Sequence, residues 1–569
     1  MILFQNNDST EVVSVIGNQL KITTHKDFQQ GQLFNLEYAD RIGDGALRLK
    51  KAGRGEWLSP VFETGEFNDL IASWNTDTPK GTSVEIFGRA YIPEYDGWVD
   101  REGKEYDGWT DWITWGEWSP FIARSCPECM DGHPRKDSEE QNGWAYAYSF
   151  TGGGDSSLLI RGEYTAKAFQ LKAVLRAVEE AEAMPVLRLL YATWKNTNDE
   201  NWWDACTYNE EPVVTPPAML LETPAISQRK RDPDYGGVIC SATSITMLMN
   251  GLGADILPED TTLMNFDYGF GGNGNWSFTT AAAGAFGYES YVSYSSFDAI
   301  RQEITKGYGV GLSVKYSKDP DGKHPYLENA PCNVGGHLIT IVGYYFNEDL
   351  GEYVYLSNDP AGNSDKEVAH REYRESQLSR AWYRRATYFL HEKEKHAGAY
   401  ARTYVDAALQ AVEGQENTFA LYTAEGQVKI PVDFGEGRRK VFGQHGTICY
   451  FIEGDETELP CTCRRSTANH VFRYDGFTIT EEGYLRFDEA AMELLFAEGR
   501  GFTLYVIDNS GTMYTAQWGS ALLSMEEPET EWNLPVSKPV ATGLAIGAGV
   551  ALVGAAAGLT YYLLKKKKK

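Results

Sequence analysis

The sequence predicts a multidomain chain: an α+β domain in the middle, a β-sandwich-rich region before it, a mixed domain after it and one transmembrane helix at the carboxyl end. Three observations lead there. With 569 residues the chain is too long for one compact unit on a scale of about 150 residues per domain. Strand-like alternation gives way to helices mixed with strands near residue 220, and an uncharged run fills 540–564. Hydrophobic residues make up 42% and aromatics 13% of the chain. That is apolar material for several cores, and it excludes wholesale disorder and collagen-like repeats. The formal charge of −28 repels nucleic acid and argues against such a partner. Eight cysteines are too few for a disulfide scaffold of this length.

The elements follow in order. Residues 1–200 form the β-sandwich-rich region, with alternating runs such as Ser83-Val84-Glu85-Ile86-Phe87 broken by Gly, Pro and Asp. YDGW occurs at 95–98 and again at 106–109, beside Trp112, Trp115 and Trp118. Exposed, these aromatics can stack on sugar rings; packed, they are cross-strand pairs, and both readings stand. Leu171, Val174, Leu175 and Val178 predict a helix over 167–182. Residues 201–220, with Pro212, Pro216 and Pro217, read as a linker.

Residues 221–395 carry the chemistry. Gly236 and Gly237 precede Cys240, and Ala242, Ile245, Leu248, Met249 and Leu252 make an apolar helical stripe that ends at Gly251 and Gly253. Cys240 therefore stands at a helix amino terminus, where free N–H groups and the macrodipole favour a thiolate. Taken alone, such a cysteine is more often a small buried hydrophobe. Farther on, the run Leu338 to Val342 reads as a buried strand with His337 at its entrance, and a second strand ends near Asn358 and Asp359. Antiparallel pairing of the two brings Asp359 to the imidazole, fixing the tautomer that leaves the other ring nitrogen for the thiol.

The stretches ICSATSITMLMNGLG around Cys240, GGHLITIVGY around His337 and YLSNDPAG around Asp359, with Ser227-Gln228 ahead of them, resemble a known family. It comprises the papain-like cysteine peptidases typified by the domain that trims double-glycine leaders from bacteriocin precursors. No G-x-x-x-x-G-K-[ST] element occurs, so the resemblance is to a stand-alone member without the transporter ATPase. It implies a papain-like fold for 221–395 and hydrolysis of amide bonds through Cys240, His337 and Asp359. It also implies an oxyanion-hole amide from Gln228, no metal and no cofactor. Peptides or proteins would be the substrates, peptidoglycan cross-link peptides among them. The LIASWNTDTPKGTSVEI stretch resembles the β-rich extension found beside stand-alone members. The alternative is a catalytically silent papain-like domain, or a β-sandwich adhesin that binds glycan or peptide at a surface.

Residues 396–524 read as a mixed α/β domain of unassigned role, with one helix near Phe487 to Ala497. Cys126, Cys129 and His133, then Cys461, Cys463 and His470, each resemble half a zinc site, short of the four ligands a closed site needs. Residues 525–539 read as a stalk. The run 540–564 is about 38 Å long as a helix, enough for a hydrocarbon layer of about 30 Å. Gly543 and Gly547, then Gly554 and Gly558, have the small-xxx-small spacing of a helix dimer. The lysines at 565–569 predict a cytoplasmic tail and an extracellular body on a single-pass membrane protein. The opening MILFQNNDSTEVV has no export signal, which leaves two expectations: a start that lies upstream, or a tail-anchored protein facing the cytosol.

Overall fold

The computed structural model describes residues 12–519 apart from 16, 40–44, 122–144, 150–155, 161–163, 209, 268–271, 393–399, 401–402, 431–446, 457–469, 498–499 and 508–511. It corrects the predicted fold class. Strand makes up 47% and helix 17% of the described residues, and the strands form four sheets there. The described residues are therefore dominated by β-sheet, against the expectation of an α+β middle domain and a mixed domain after it. The reason is length: the longest helix described, Cys240–Gly251, has only 12 residues, whereas single strands run to 14 and 18. Among the described residues no helix is long and apolar enough to cross a membrane, so the predicted transmembrane helix has no support there. The segment it rested on, 540–564, lies outside the described residues, as do the stalk, the glycine pairs, the lysine tail, Cys126, Cys129, His133, Cys461 and Cys463.

The amino-terminal region is a sandwich of an eight-stranded and a seven-stranded sheet. Its central strands are β1 (Asp69–Asp77), β2 (Thr82–Val99), β3 (Ala166–Ala177) and β4 (Val186–Lys195). β3 corrects the predicted helix over 167–182. It pairs antiparallel with β2 from Ala168↔Tyr91 to Ala177↔Thr82 and lies against a second partner along Gly53–Leu58. Most of its residues are buried on both faces, which hides the two-residue period and leaves an apolar spacing that imitates a helix. The tryptophans divide. Trp115 and Trp118 are 2% and 0% exposed; Trp115 lies over Gly88, where a Cβ would come within 2.6 Å of its ring. Trp98 is 43% exposed, on a hairpin in which the two YDGW copies face each other with Asp107 opposite Asp96.

The middle domain starts with β5 (Ala218–Leu220) and continues through α1 (Cys240–Gly251), α2 (Pro258–Asn265), α3 (Trp276–Ala285), β6 (Glu289–Tyr294) and α4 (Phe297–Thr305). It is completed by β7 (Val310–Tyr316), β8 (Val334–Asn347), β9 (Glu352–Asn358), β10 (Arg371–Arg374), α5 (Glu375–Ala381) and β11 (Trp382–His391). The sheet runs β6-β11-β7-β8-β9-β10, with β5 also paired to β8. Alternation along β8 separates two cores: Leu338 packs with α1 and α3, while Ile339 and Ile341 pack with α4 and α5.

One hydrophobic core runs from the sandwich into this domain, joining Trp57 and Trp74 to Met249, Trp276 and Tyr388. Every residue of β1 is buried, because the strand is covered by its own sandwich and by α3. Its polar residues therefore need partners across the junction. Asn75 bonds both the carbonyl (2.8 Å) and the N–H (3.0 Å) of Ser290, and Ser73 accepts from Val292 N–H (3.1 Å). The carboxyl-terminal domain has its own core around Phe419, Leu421, Tyr450, Phe487 and Leu504. Its helix, Glu489–Leu495, is capped by Asp488, which accepts from Ala491 N–H. It sits where a helix was expected from the sequence.

Candidate active site

Cys240 is the first residue of α1, and no side chain caps that end. The first-turn N–H groups therefore have only the thiol, solvent or a ligand to serve. Two hydroxyls fix the helix against the sheet: Ser241 Oγ bonds Tyr388 OH (2.9 Å), and Ser244 Oγ donates to Leu338 O (3.0 Å). The second contact ties the cysteine helix to the residue beside His337.

β8 and β9 are antiparallel with Thr340 opposite Asn358. His337 and Asp359, just beyond that pair on either strand, therefore meet. His337 Nε2 lies 2.8 Å from Asp359 Oδ1, and both residues are buried. That leaves Nδ1 as the ring nitrogen for the Cys240 thiol, and each of the two groups shifts the ionisation of the other. Asp359 also accepts from Ala361 N–H (3.0 Å), and its second oxygen accepts from Tyr316 OH (2.7 Å) and Tyr373 OH (2.8 Å). Asn358 is turned away. Its amide donates to the carbonyls of Thr223 and Pro224 and accepts from His370 N–H, lacing β9 to the incoming chain.

The electrostatics follow from that geometry. Burial disfavours the Cys240 thiolate, but the His337 hydrogen bond and charge, with the N–H groups of Leu338 and Ser241, outweigh it and bring the thiol below its ordinary value. Burial likewise disfavours the imidazolium, yet the charge and hydrogen bond of Asp359, helped by Cys240, push His337 up to about 10. Burial would raise Asp359; the His337 charge and the three side-chain hydrogen bonds hold it below the carboxylate range. The other thiols differ: burial pushes Cys206 up to about 11 and raises Cys449 strongly.

Gln228 opens a short turn, Gln228–Lys230. Its N–H donates to Pro360 O (3.0 Å), and its carbonyl lies so close to Gly236 that a Cβ there would stand 2.6 Å away. The turn is thus packed on the run into Cys240. The side chain is 5% exposed and its amide oxygen is buried without a protein partner.

The structure therefore gathers Cys240, His337 and Asp359 and seats the Gln228 turn against the same segment. Tyr316 and Tyr373 escaped the sequence reading. Each stands in a strand with no motif about it, and only the fold brings their hydroxyls to Asp359.

Residues 220–388 match the model of the Peptidase_C39 like family. No curated protein matches the chain. The match runs from the last residue of β5 to Tyr388 within β11 and supports a C39-like cysteine peptidase with peptide or protein substrates.

One further cluster has metal-ligand chemistry: Glu210, Glu289 and His391 lie within 4.8 Å of one another. Lys21 Nζ is 3.0 Å from Glu210 and 2.5 Å from Glu289, and His391 Nε2 is 2.7 Å from Glu303. Burial opposes the His391 charge, but Glu289 and Glu303 push it up to about 9. Lys21 and charged His391 already neutralise much of the acidity, so the cluster reads as an ion-paired junction.

Proposed function

We propose that the chain hydrolyses peptide bonds with Cys240 as nucleophile, His337 as its acid–base partner and Asp359 as the residue that orients the imidazole. The observation that carries this reading is a four-times hydrogen-bonded carboxylate on Nε2 of His337, together with a thiol at a helix start whose ionisation the imidazole favours. In this reading the thiolate attacks the amide carbonyl and a C–S bond forms. The Gln228 amide and the Cys240 N–H stabilise the oxyanion, and His337 gives its proton to the leaving amine as the C–N bond breaks. Water, deprotonated by His337, then hydrolyses the acyl-enzyme and restores the thiol. No metal or cofactor takes part.

Gly237 and Val238, just ahead of Cys240, and Gly335 and Gly336, just ahead of His337, are exposed. Such backbone suits an extended peptide, and Val238, 65% exposed, offers it an apolar contact. We further propose a stand-alone enzyme of the double-glycine type. Mass-spectrometric profiling of a peptide library with the wild-type chain and with Cys240→Ala tests the reading. Cleavage confined to the wild type is expected; equal cleavage by both overturns it.

A further inference from the structure

The turn that carries Gln228 is held by one loop. Ser227 N–H donates to Asp365 Oδ1 (2.7 Å), Ser227 Oγ to Gly362 O (2.5 Å), Gln228 N–H to Pro360 O (3.0 Å) and Arg229 Nε to Ala361 O (2.7 Å). The acceptors all lie within 360–365, the loop that leaves Asp359. Asp359 organises the near end of that loop by accepting from Ala361 N–H with its side chain and from Gly362 N–H with its carbonyl (3.2 Å). Asp365 holds the far end, and it is the only one of the four acceptors that is a side chain. Burial dominates its surroundings and favours the neutral acid, opposed by the Ser227 N–H and by the charges of Arg231 and Lys230.

We propose that Asp365 is a positioning residue for the oxyanion side of the site. By accepting from Ser227 N–H it sets the turn from which the Gln228 amide is presented, and the 359–365 loop thereby couples the orientation of His337 to that of Gln228. The inference rests on the peptidase reading above, in which Gln228 stabilises the oxyanion. A carboxylate at this place does not touch the thiol or the imidazole, so its loss acts on acylation and leaves the Cys240–His337 pair as it was.

A double-mutant cycle on the full chain tests this, with a fluorogenic peptide drawn from the cleaved library members and with iodoacetamide as a probe of the thiol alone. Asp365→Ala is expected to lower kcat by about 10-fold or more, as a fraction of the roughly 10²- to 10³-fold that loss of an oxyanion donor costs, with KM and the alkylation rate of Cys240 unchanged. Asp365→Asn keeps an oxygen for Ser227 N–H and is expected to restore most of kcat. In a Gln228→Ala background Asp365→Ala is expected to cost little more, because the group it positions is gone. If Asp365→Ala does not fold, Asp365→Glu, which displaces the carboxylate by one methylene, carries the same cycle. Multiplicative losses, or a matching fall in alkylation rate, overturn the role of Asp365 alone. An unimpaired Gln228→Ala enzyme overturns the oxyanion assignment, and this inference with it.

Discussion

Asp359 and Asp69 are the same object in two settings. Both are carboxylates at 0% and 1% exposure, and both accept a tyrosine hydroxyl, from Tyr316 and Tyr373 in one case and Tyr294 (2.6 Å) in the other. In both, burial favours the neutral acid and a neighbouring cation holds the group below the carboxylate range. The cations differ. Asp69 faces Arg384, whose charge persists at every accessible pH, with Lys195 at 3.3 Å. That cluster bolts β1 and β4 of the sandwich to β6 and β11 of the middle domain. Its geometry is costly: Arg384 and Arg385 both have positive φ, 57° and 56°, worth on the order of 1–3 kcal/mol each for non-glycine residues. Asp359 faces an imidazole that can give up its proton, and the ring passes the interaction on to a sulfur. A buried, tyrosine-bonded carboxylate is thus no mark of catalysis. A titratable partner in contact with a nucleophile is.

The largest effect expected is from Cys240→Ala, which should reduce turnover to background while leaving the melting temperature near that of the wild type. Asp359→Asn should follow, with a loss on the order of 10²- to 10⁴-fold in kcat. Tyr316 and Tyr373 both donate to Oδ2, so an asparagine must set its NH₂ against two hydroxyls or against His337 Nε2, and the second choice imposes the wrong tautomer. Asn358→Ala should cost far less turnover, since that side chain serves the backbone of 223–224 and 370.

Much of this site was legible in the sequence. Cys240 before an apolar stripe, His337 ahead of the run Leu338 to Val342 and Asp359 after the strand Glu352–Asn358 needed only local pattern and one antiparallel pairing to be brought together. What was not legible depends on neighbours far along the chain. The two tyrosines reach Asp359 from strands 43 and 14 residues away. β3 imitates a helix because both of its faces are covered, and the polar residues of β1 make sense only once α3 and β6 lie across them.

Breaking the other member of the comparison should have the opposite signature. Asp69→Asn leaves Arg384 and Lys195 without their shared carboxylate and should destabilise the fold by about 3–5 kcal/mol, read by chemical denaturation, with the alkylation rate of Cys240 in the folded protein unchanged. Tyr316→Phe is expected to cost about 1.5–3 kcal/mol, as for a hydrogen bond to a charged group, and to lower kcat by less than Asp359→Asn does. The smallest effect concerns pH. The folded value of His337, about 10, lies above the reference of 6.5. Its contribution to stability is therefore full below pH 6.5 and is lost as the pH rises through 10. Because the lowered Cys240 thiol contributes with the opposite sign over the same range, the comparison is made without it: between pH 7 and 10.5 Cys240→Ala should lose more stability than Cys240→Ala/His337→Ala.

The pH dependence of alkylation, mapped cysteine by cysteine, tests the central claim most directly, because it reads the thiolate without needing a substrate. Cys240 should react fastest, with a midpoint below the ordinary thiol value of about 8.5. Asp359→Asn should shift that midpoint upward and Asp69→Asn should leave it in place. A Cys240 midpoint at or above 8.5, or labelling of Cys206 or Cys332 at the same rate, would contradict the account.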